Sequence, residues 1–384
     1  MKSNKILLIM SALFVGGAEK QYRYIMEALS NDFNVHVLLL NKPLIGKEKH
    51  TNDYVNNHKN IVFYQLDGNA LNGAKKGYIK SRLEKVKSLW LQWKWLRLYL
   101  KKNKVDIAMF TYVTQLFMVP LFNKYNVNTI FNERNTGRQI CDMYFKRYLL
   151  SKCDKIICNS NYAADYVHAR TGLGCEVYKN GIKIKNIDKE VHSDFNILVP
   201  ARINRIKNQK VVAESMSLLK DIIPNNRYNR IHCYFAGACE DEEYLKKIKK
   251  IIDRDSLNIH VIGYVSDMDK LYKKTDLIIL PSFEEGTPNV LLESYMYKID
   301  ALISKIPMNV DCCTDESIMF LPNSPEELSV KIIECINRRR SEDYFDGNYK
   351  YVVDNYGLET MKCRYKNLFY EILAKRGNNE NRTL

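Results

Sequence analysis

The hydrophobic positions of this chain fall into short apolar runs separated by amphipathic stretches, and the series occurs twice. Residues 5–10, Lys-Ile-Leu-Leu-Ile-Met, predict a buried strand, 11–17 a loop, and 18–29 a helix by their apolar spacing. Further strands are expected at 35–40, 61–66, 107–110, 128–131 and 155–159. A run at 177–182 ends in the turn signal Asn180-Gly181. After the polar stretch 183–194 the pattern restarts. Strands are expected at 196–200, 232–236, 259–262, 277–280 and 301–304, with a helix at 208–219. Ser324-Pro325-Glu326-Glu327 reads as a capping box opening a helix at 324–338, and 356–375 as a last amphipathic helix. Strands alternating with helices predict parallel sheets covered by helices.

The stretch 276–297 carries the clearest chemistry. Leu277 to Leu280 is a strand stopped by Pro281, and Thr287-Pro288 reads as a capped helix start. Glu285 stands in the loop between them and Glu293 on the helix, beside Leu291, Leu292 and Met296. A carboxylate among so much apolar surface is costly unless donors reach it, and a vicinal diol such as a ribose offers two hydroxyls. Free amides near Asn289 and Val290 would suit an anion, so the stretch describes a site for a phosphorylated sugar or a nucleotide. The same spacing also fits a Glu285 that caps or faces solvent and a Glu293 on the exposed side of an ordinary helix.

Other candidate residues sit in corresponding loops. Arg202 and Lys207 lie between a strand and a helix, where a phosphate would meet both cations and a helix start; they also read as ordinary solvated residues. Gly16-Gly17 permits close approach of the backbone to a ligand but is no G-x-G-x-x-G fingerprint. Asn132, Glu133, Arg134 and Asn135 cluster at the carboxyl end of a strand, where ligands bind in such folds, or form a loop network of charge pairs. Tyr264, after the glycine-ended strand at 259–262, would stack on a base or sit at a core edge.

A chain of 384 residues, 46% hydrophobic and 27% charged, has room for two cores and excludes disorder as its theme. Ten cysteines without a C-x-x-C pair or a His/Cys cluster argue for reduced thiols in the cytosol and against a zinc site. No run reaches the 18 or so apolar residues of a membrane span. Lys2 and Lys5 before the run 6–15 imitate a signal peptide, but the run reads better as a first strand.

The net charge of +15 would serve nucleic acid, an anionic membrane or a polyphosphate substrate. Residues 75–104 concentrate it, with eleven Lys or Arg against the single acid Glu84, and they hold all three tryptophans, Trp90, Trp93 and Trp95. A basic helix with interfacial aromatics lies on an anionic bilayer; the plainer reading is a sheet-covering helix with solvated lysines. Tryptophans at 90, 93 and 95 do not share one core stripe, which favours the bilayer.

Pro281-Ser282 followed by Glu285-Gly286-x-Pro288-Asn289-Val290-Leu291-Leu292-Glu293 closely resembles the E-x7-E region of family 4 glycosyltransferases, retaining enzymes of the GT-B fold. The resemblance extends over nearly the whole chain, including Gly16 to Glu19, the Asn180-Gly181-Ile182 segment, and Arg202 and Lys207 at the family's spacing, with Ala201 where a glycine is usual. It implies two Rossmann-like domains facing a central cleft: 1–185 on the acceptor side, a linker at 186–193, and 194–355 binding the nucleotide sugar. The helix 356–376 would cross back to the first domain, and 377–384 would be a polar tail.

By the same resemblance Arg202 and Lys207 neutralise the donor diphosphate and Glu285, with the backbone of Gly286, Thr287, Pro288 and Asn289, orients the donor sugar. Val290 would add an amide to the diphosphate, Glu293 hold the ribose, Gly263 and Tyr264 pass the base, and Gly17 lie near the phosphate. Gly16 and residues 132–135 face the acceptor, although a histidine found in some relatives is missing there. The implied activity is metal-independent and retaining, needs no cofactor, and takes a UDP-sugar to a saccharide or lipid-linked saccharide in capsule, lipopolysaccharide or exopolysaccharide synthesis. It would run in the cytoplasm at the inner face of the membrane, with no specific nucleic acid as partner. The alternatives are a nucleotide-sugar epimerase of the same fold and a basic nucleic-acid or lipid-surface binding module.

Overall fold

The structure is a computed structural model that describes residues 4–13, 17–41, 48–66, 78–141, 144–185, 189–338 and 340–380, with the side chains of 78–85, 141, 144 and 376–380 excepted. Gly16, Lys75, Lys76 and the side chains of Lys80, Arg82 and Lys85 thus lie outside the described residues. The chain divides into two units, one of residues 1–181 with 358–384, the other of 182–357.

The first unit holds seven parallel strands: β1 (Lys5–Met10), β2 (Asn34–Leu39), β3 (Ile61–Gln65), β4 (Ile107–Phe110), β5 (Asn128–Glu133), β6 (Lys155–Cys158) and β7 (Glu176–Val177), in the order β3-β2-β1-β4-β5-β6-β7. Alternate residues of β1 explain the two-sided core. Leu7 and Ile9 join Leu96, Tyr99 and Leu100 of helix Tyr78–Lys102 on one face. Ile6, Leu8 and Met10 join Ile25 and Leu29 of helix Gly17–Ser30, and Tyr365 and Phe369 of helix Leu358–Glu380, on the other. Residues buried on both faces must all be apolar, and so the strands read as continuous runs.

The second unit repeats the plan with six parallel strands: β8 (Phe195–Val199), β9 (Ile231–Ala236), β10 (Ile259–Gly263), β11 (Leu277–Leu280), β12 (Asp300–Ser304) and β13 (Met319–Phe320), ordered β10-β9-β8-β11-β12-β13. Each sheet reverses its direction of growth once, between β1 and β4 and between β8 and β11. In such sheets the crevice beyond the carboxyl ends at that reversal is where ligands bind.

Local differences from the sequence reading have physical causes. Within the run 6–15 that imitates a signal peptide, residues 6–10 belong to Lys5–Met10, an interior strand of the first sheet paired with β2 and β4. Strand β5 continues to Glu133, so Asn132 and Glu133 belong to the strand and not to a loop. Ser324 caps its helix by accepting from the Glu327 amide at 3.1 Å, while the Glu327 carboxylate reaches back to the amide of Leu321, 2.9 Å away, and not to Ser324. No side chain caps the helix Asn289–Met296, whose cap position is Pro288; Thr287 stands one residue too early. The first-turn amides of that helix are left without a capping side chain.

Candidate active site

The loops that follow β8 and β11 stand side by side at the reversal of the second sheet. Asn204 accepts from the Lys207 amide at 3.0 Å and so closes a single 3-10 turn, Arg205–Lys207. Asn208 then takes a left-handed conformation, φ 53°, which an asparagine tolerates. Its side-chain amide donates to the carbonyls of Pro281, at 3.2 Å, and Pro322, at 2.8 Å. The Phe283 amide donates to the Ile206 carbonyl at 2.8 Å. These bonds tie the cation-bearing loop to the carboxylate-bearing one.

Within that frame Lys207 Nζ donates to Glu285 Oε1 at 2.6 Å, and the buried Ser282 hydroxyl donates to the same oxygen at 2.6 Å. Only 17% of the lysine side chain and 13% of the glutamate side chain are exposed, so the pair is shielded from most solvent screening. Ser282 is itself anchored, its carbonyl accepting from Ser304 Oγ at 2.5 Å. Glu285 is therefore neither a helix cap nor a solvent-facing residue.

Arg202 stands at the exposed end of the same loop, its Nη1 2.5 Å from Glu240 Oε1. Asn204 Nδ2 reaches the other oxygen of Glu240 at 2.8 Å. The backbone that carries Arg202 is held by Gly237. A Cβ on that glycine would fall 2.0 Å from the carbonyl oxygen of Ala201 and 2.8 Å from the amide nitrogen of Arg202.

Glu293, on helix Asn289–Met296, accepts the Tyr272 hydroxyl at 2.6 Å. Burial, reinforced by the charge of Glu293, pushes the Tyr272 hydroxyl well above its ordinary pKa and keeps it a neutral donor. Tyr272 packs against Tyr297 with the rings tilted, their centres 4.7 Å apart, and Tyr297 donates to Asp269, which also meets Lys185. The glutamate is thus an aimed acceptor and not a loose surface residue.

Gly286, Asn289 and Val290 are half-buried and Thr287 and Pro288 buried along the connection between Glu285 and Glu293. Gly263 ends β10 at φ +69°, accessible chiefly to glycine, and its carbonyl accepts from the Gly237 amide at 2.8 Å. Tyr264, 60% exposed, is a surface residue and not a core edge.

In the first unit, the residues read as an acceptor-facing cluster come together but turn inward. Asn132, Glu133 and Arg134 are 0, 2 and 4% exposed, and Asn135 alone of the four is at the surface. Asn132 Nδ2 donates to the Tyr365 hydroxyl at 3.2 Å, Arg134 to that hydroxyl and to Asn180, and the Asn135 amide to Glu133 Oε1 at 2.7 Å. Burial pushes the Glu133 carboxyl up, opposed by the amides of Asn135 and Gly137. Gly17 opens helix Gly17–Ser30 and is exposed.

The reversal of the first sheet holds a group of which the sequence singled out only Glu19. Tyr112, just past β4, donates to Glu19 Oε1 at 2.7 Å, with Ser11 Oγ 2.8 Å from the same hydroxyl. Burial and the neighbouring Glu19 charge raise the Tyr112 pKa. Only the pairing of β1 with β4 brings these residues together. Tyr272, Gly237 and Glu240 were missed because their partners, too, are distant in sequence, whereas Ser282 was part of the motif but its bond to Glu285 was not foreseen.

Two parallel-sheet Rossmann-like units with loops of this kind define the GT-B fold. Residues 182–350 match the family model Glycosyl transferases group 1. The mannosylglucosylglycerate synthase of Thermotoga maritima is 33% identical over 116 residues, 26% of this chain; the chain covers only 27% of that relative's length. A glycosyltransferase from Rickettsia africae superposes over 97% of this chain and 99% of its own, with TM-score 0.75 at 18% identity. Alr3699/HepE of Anabaena, solved with UDP and glucose, covers 96% of this chain and 100% of its own, with TM-score 0.72 at 14% identity. Among the described residues no group of His, Cys, Asp and Glu is placed to hold a metal ion. No described helix is long and apolar enough to cross a membrane.

Proposed function

We propose that this chain is a retaining glycosyltransferase of family 4 that moves a hexosyl or N-acetylhexosaminyl group from a nucleoside-diphosphate donor, UDP-linked, to a saccharide or lipid-linked saccharide. The observation that carries the reading is the shielded Lys207–Glu285 pair at the reversal of the second sheet, beside Arg202 and a helix start without a capping side chain. The match of 182–350 to group 1 glycosyl transferases supports it, and a structural neighbour solved with UDP and glucose supports the choice of donor.

In this reading the diphosphate seats against Lys207, Arg202 and the amides of Asn289 and Val290. As the bond from the anomeric carbon to the phosphate oxygen breaks, these donors stabilise the charge that collects on the leaving diphosphate. Lys207 would exchange part of its bond with Glu285 for the phosphate, which frees a Glu285 oxygen to accept a sugar hydroxyl while Ser282 keeps the carboxylate in place. Glu293, aimed by Tyr272, accepts the ribose hydroxyls, and Tyr264 meets the base. The acceptor hydroxyl attacks from the face the diphosphate leaves, and a donor phosphate oxygen takes its proton. No resident metal or cofactor is invoked. On the acceptor side the exposed Asn135 and the Ser11–Glu19–Tyr112 group are the candidates, with Asn132, Glu133 and Arg134 shaping the strand end beneath them. A place in capsule, lipopolysaccharide or exopolysaccharide synthesis, peripheral to the inner membrane face, completes the proposal.

Release of nucleoside diphosphate from a panel of UDP- and GDP-sugars, with membrane lipid extract as acceptor, tests the reading. We expect turnover with one donor and its loss in Glu285→Gln. Turnover undiminished in that variant, or none with any donor, would count against it.

A further inference from the structure

The helix Tyr78–Lys102 buries Ser88, Gln92, Leu96, Tyr99 and Leu100 on one stripe. Its opposite face is unusual for a surface helix. At about 100° per residue, Val86, Trp90, Trp93, Arg97 and Lys101 fall within about 80° of one another, and Lys87, Lys94 and Leu98 widen the same face. All of them are exposed, Trp90 by 56%, Trp93 by 39%, Val86 by 64% and Leu98 by 51%. Lys94 Nζ lies 5.1 Å from the Trp90 ring centre and the Arg97 guanidinium 5.7 Å from that of Trp93. Between residues 86 and 104 the sequence has six Lys or Arg and no Asp or Glu. Among the described residues, no carboxylate pairs with any of the six.

We propose that this face docks on an anionic lipid surface, with Trp90 and Trp93 seated at headgroup depth, Val86 and Leu98 at the acyl boundary, and Lys87, Lys94, Arg97 and Lys101 over lipid phosphates. Indole rings favour that interface because one edge is apolar and the other donates a hydrogen bond. The cations supply attraction that depends on anionic lipid. Charge complementarity selects this occupant. A second copy would bring six like charges against six. A single-stranded nucleic acid would use the cations and the rings but leave Val86 and Leu98 on the same face without a partner. The inference uses no residue of the second unit and stands apart from the transfer reaction.

Vesicle binding of the full chain tests it, with the tryptophans as their own probe. All three tryptophans of the chain lie in this helix. Trp95 packs against Tyr64 and Tyr99 and supplies a constant background. Vesicles of phosphatidylcholine with phosphatidylglycerol are expected to shift the emission to the blue and to sediment the protein, whereas phosphatidylcholine alone does neither. Lys94→Ala with Lys101→Ala weakens partitioning about 30-fold, about fivefold per cation. Trp90→Ala with Trp93→Ala weakens it by roughly the same factor, since about half of each ring remains to be buried. Circular dichroism confirms that both variants fold, and because the changed side chains are exposed both are expected to. The proposal is overturned if anionic vesicles neither bind nor shift the emission, if neutral vesicles bind equally well, or if either double variant binds like the parent. It is equally overturned if a single-stranded oligonucleotide shifts the emission and vesicles do not, or if Trp90→Ala with Trp93→Ala dissociates a dimer.

Discussion

Replacing Gly237 with alanine tests how the second sheet carries Arg202. The added Cβ would stand 2.0 Å from the Ala201 carbonyl oxygen, 2.4 Å from its carbon and 2.8 Å from the Arg202 nitrogen. All three are backbone atoms, so no rotamer relieves the contact. Separation to 3.0 Å, below which real Cβ atoms are essentially never found, moves the Ala201–Arg202 backbone by about 1 Å, the difference 3.0 − 2.0. A movement of that size also pulls the Ile203 amide away from the Ala238 carbonyl, now 2.9 Å apart. Overpacking costs about 1–3 kcal/mol, and each strained backbone hydrogen bond adds about 1 kcal/mol.

A loss of about 3 kcal/mol in a unit of this size lowers Tm by roughly 6–12 °C. Differential scanning calorimetry with and without UDP reads both effects, and Gly347→Ala is the control. Gly347 lies exposed in helix Glu342–Tyr356 with nothing within 4 Å of a Cβ, so alanine there is expected to stabilise by up to about 1 kcal/mol. We expect Gly237→Ala to lose stability and to bind UDP more weakly because Arg202 is displaced. A parental Tm in Gly237→Ala would refute the steric argument, and parental UDP affinity in a destabilised variant would refute the link to Arg202.

Two further outcomes are expected. Tyr272→Phe removes the donor that aims Glu293; the donor KM should rise about tenfold, equal to about 1.4 kcal/mol, with kcat little changed, as for a contact made alike in ground and transition states. An unchanged KM would show that Tyr272 only fills space. His36, 6% exposed with Nδ1 2.6 Å from the Tyr99 hydroxyl, has its pKa pushed from 6.5 to about 4, chiefly by burial and then by the Lys5 charge. Between those values the unfolded chain takes up a proton that the folded chain refuses, so stability is full above pH 6.5 and falls as pH drops toward 4. The loss is on the order of 2 kcal/mol, and Tm measured across that range should fall more steeply for the parent than for His36→Gln. Equal slopes would remove His36 from the account.

Much of the fold was legible in the chain because buried parallel strands must be apolar on both faces. Lys5–Met10 and Leu277–Leu280 show in the sequence as the runs they form. The candidate residues near Glu285 were legible because strand, loop and helix are consecutive there. What was not legible depends on neighbours distant in sequence. The polar groups of Asn132 and Arg134 look like a loop cluster until Tyr365, more than 230 residues later, takes their hydrogen bonds. Glu240 faces Arg202 only because β9 lies beside β8, and Tyr112 meets Ser11 and Glu19 only because β4 lies beside β1. Of the three tryptophans, helical spacing alone could not say that Trp95 would turn toward Tyr64 and Tyr99 while the other two stay exposed.

The central claim, a nucleoside-diphosphate site built on Lys207, is tested most directly by isothermal titration of UDP and GDP into the parent and into Lys207→Ala. The account expects saturable binding of one diphosphate by the parent. In the variant that affinity should fall about a hundredfold, equal to about 2.7 kcal/mol for a shielded charge-assisted contact, with the secondary structure unchanged. Binding of neither nucleotide by the folded parent, or equal affinity in the variant, would contradict it.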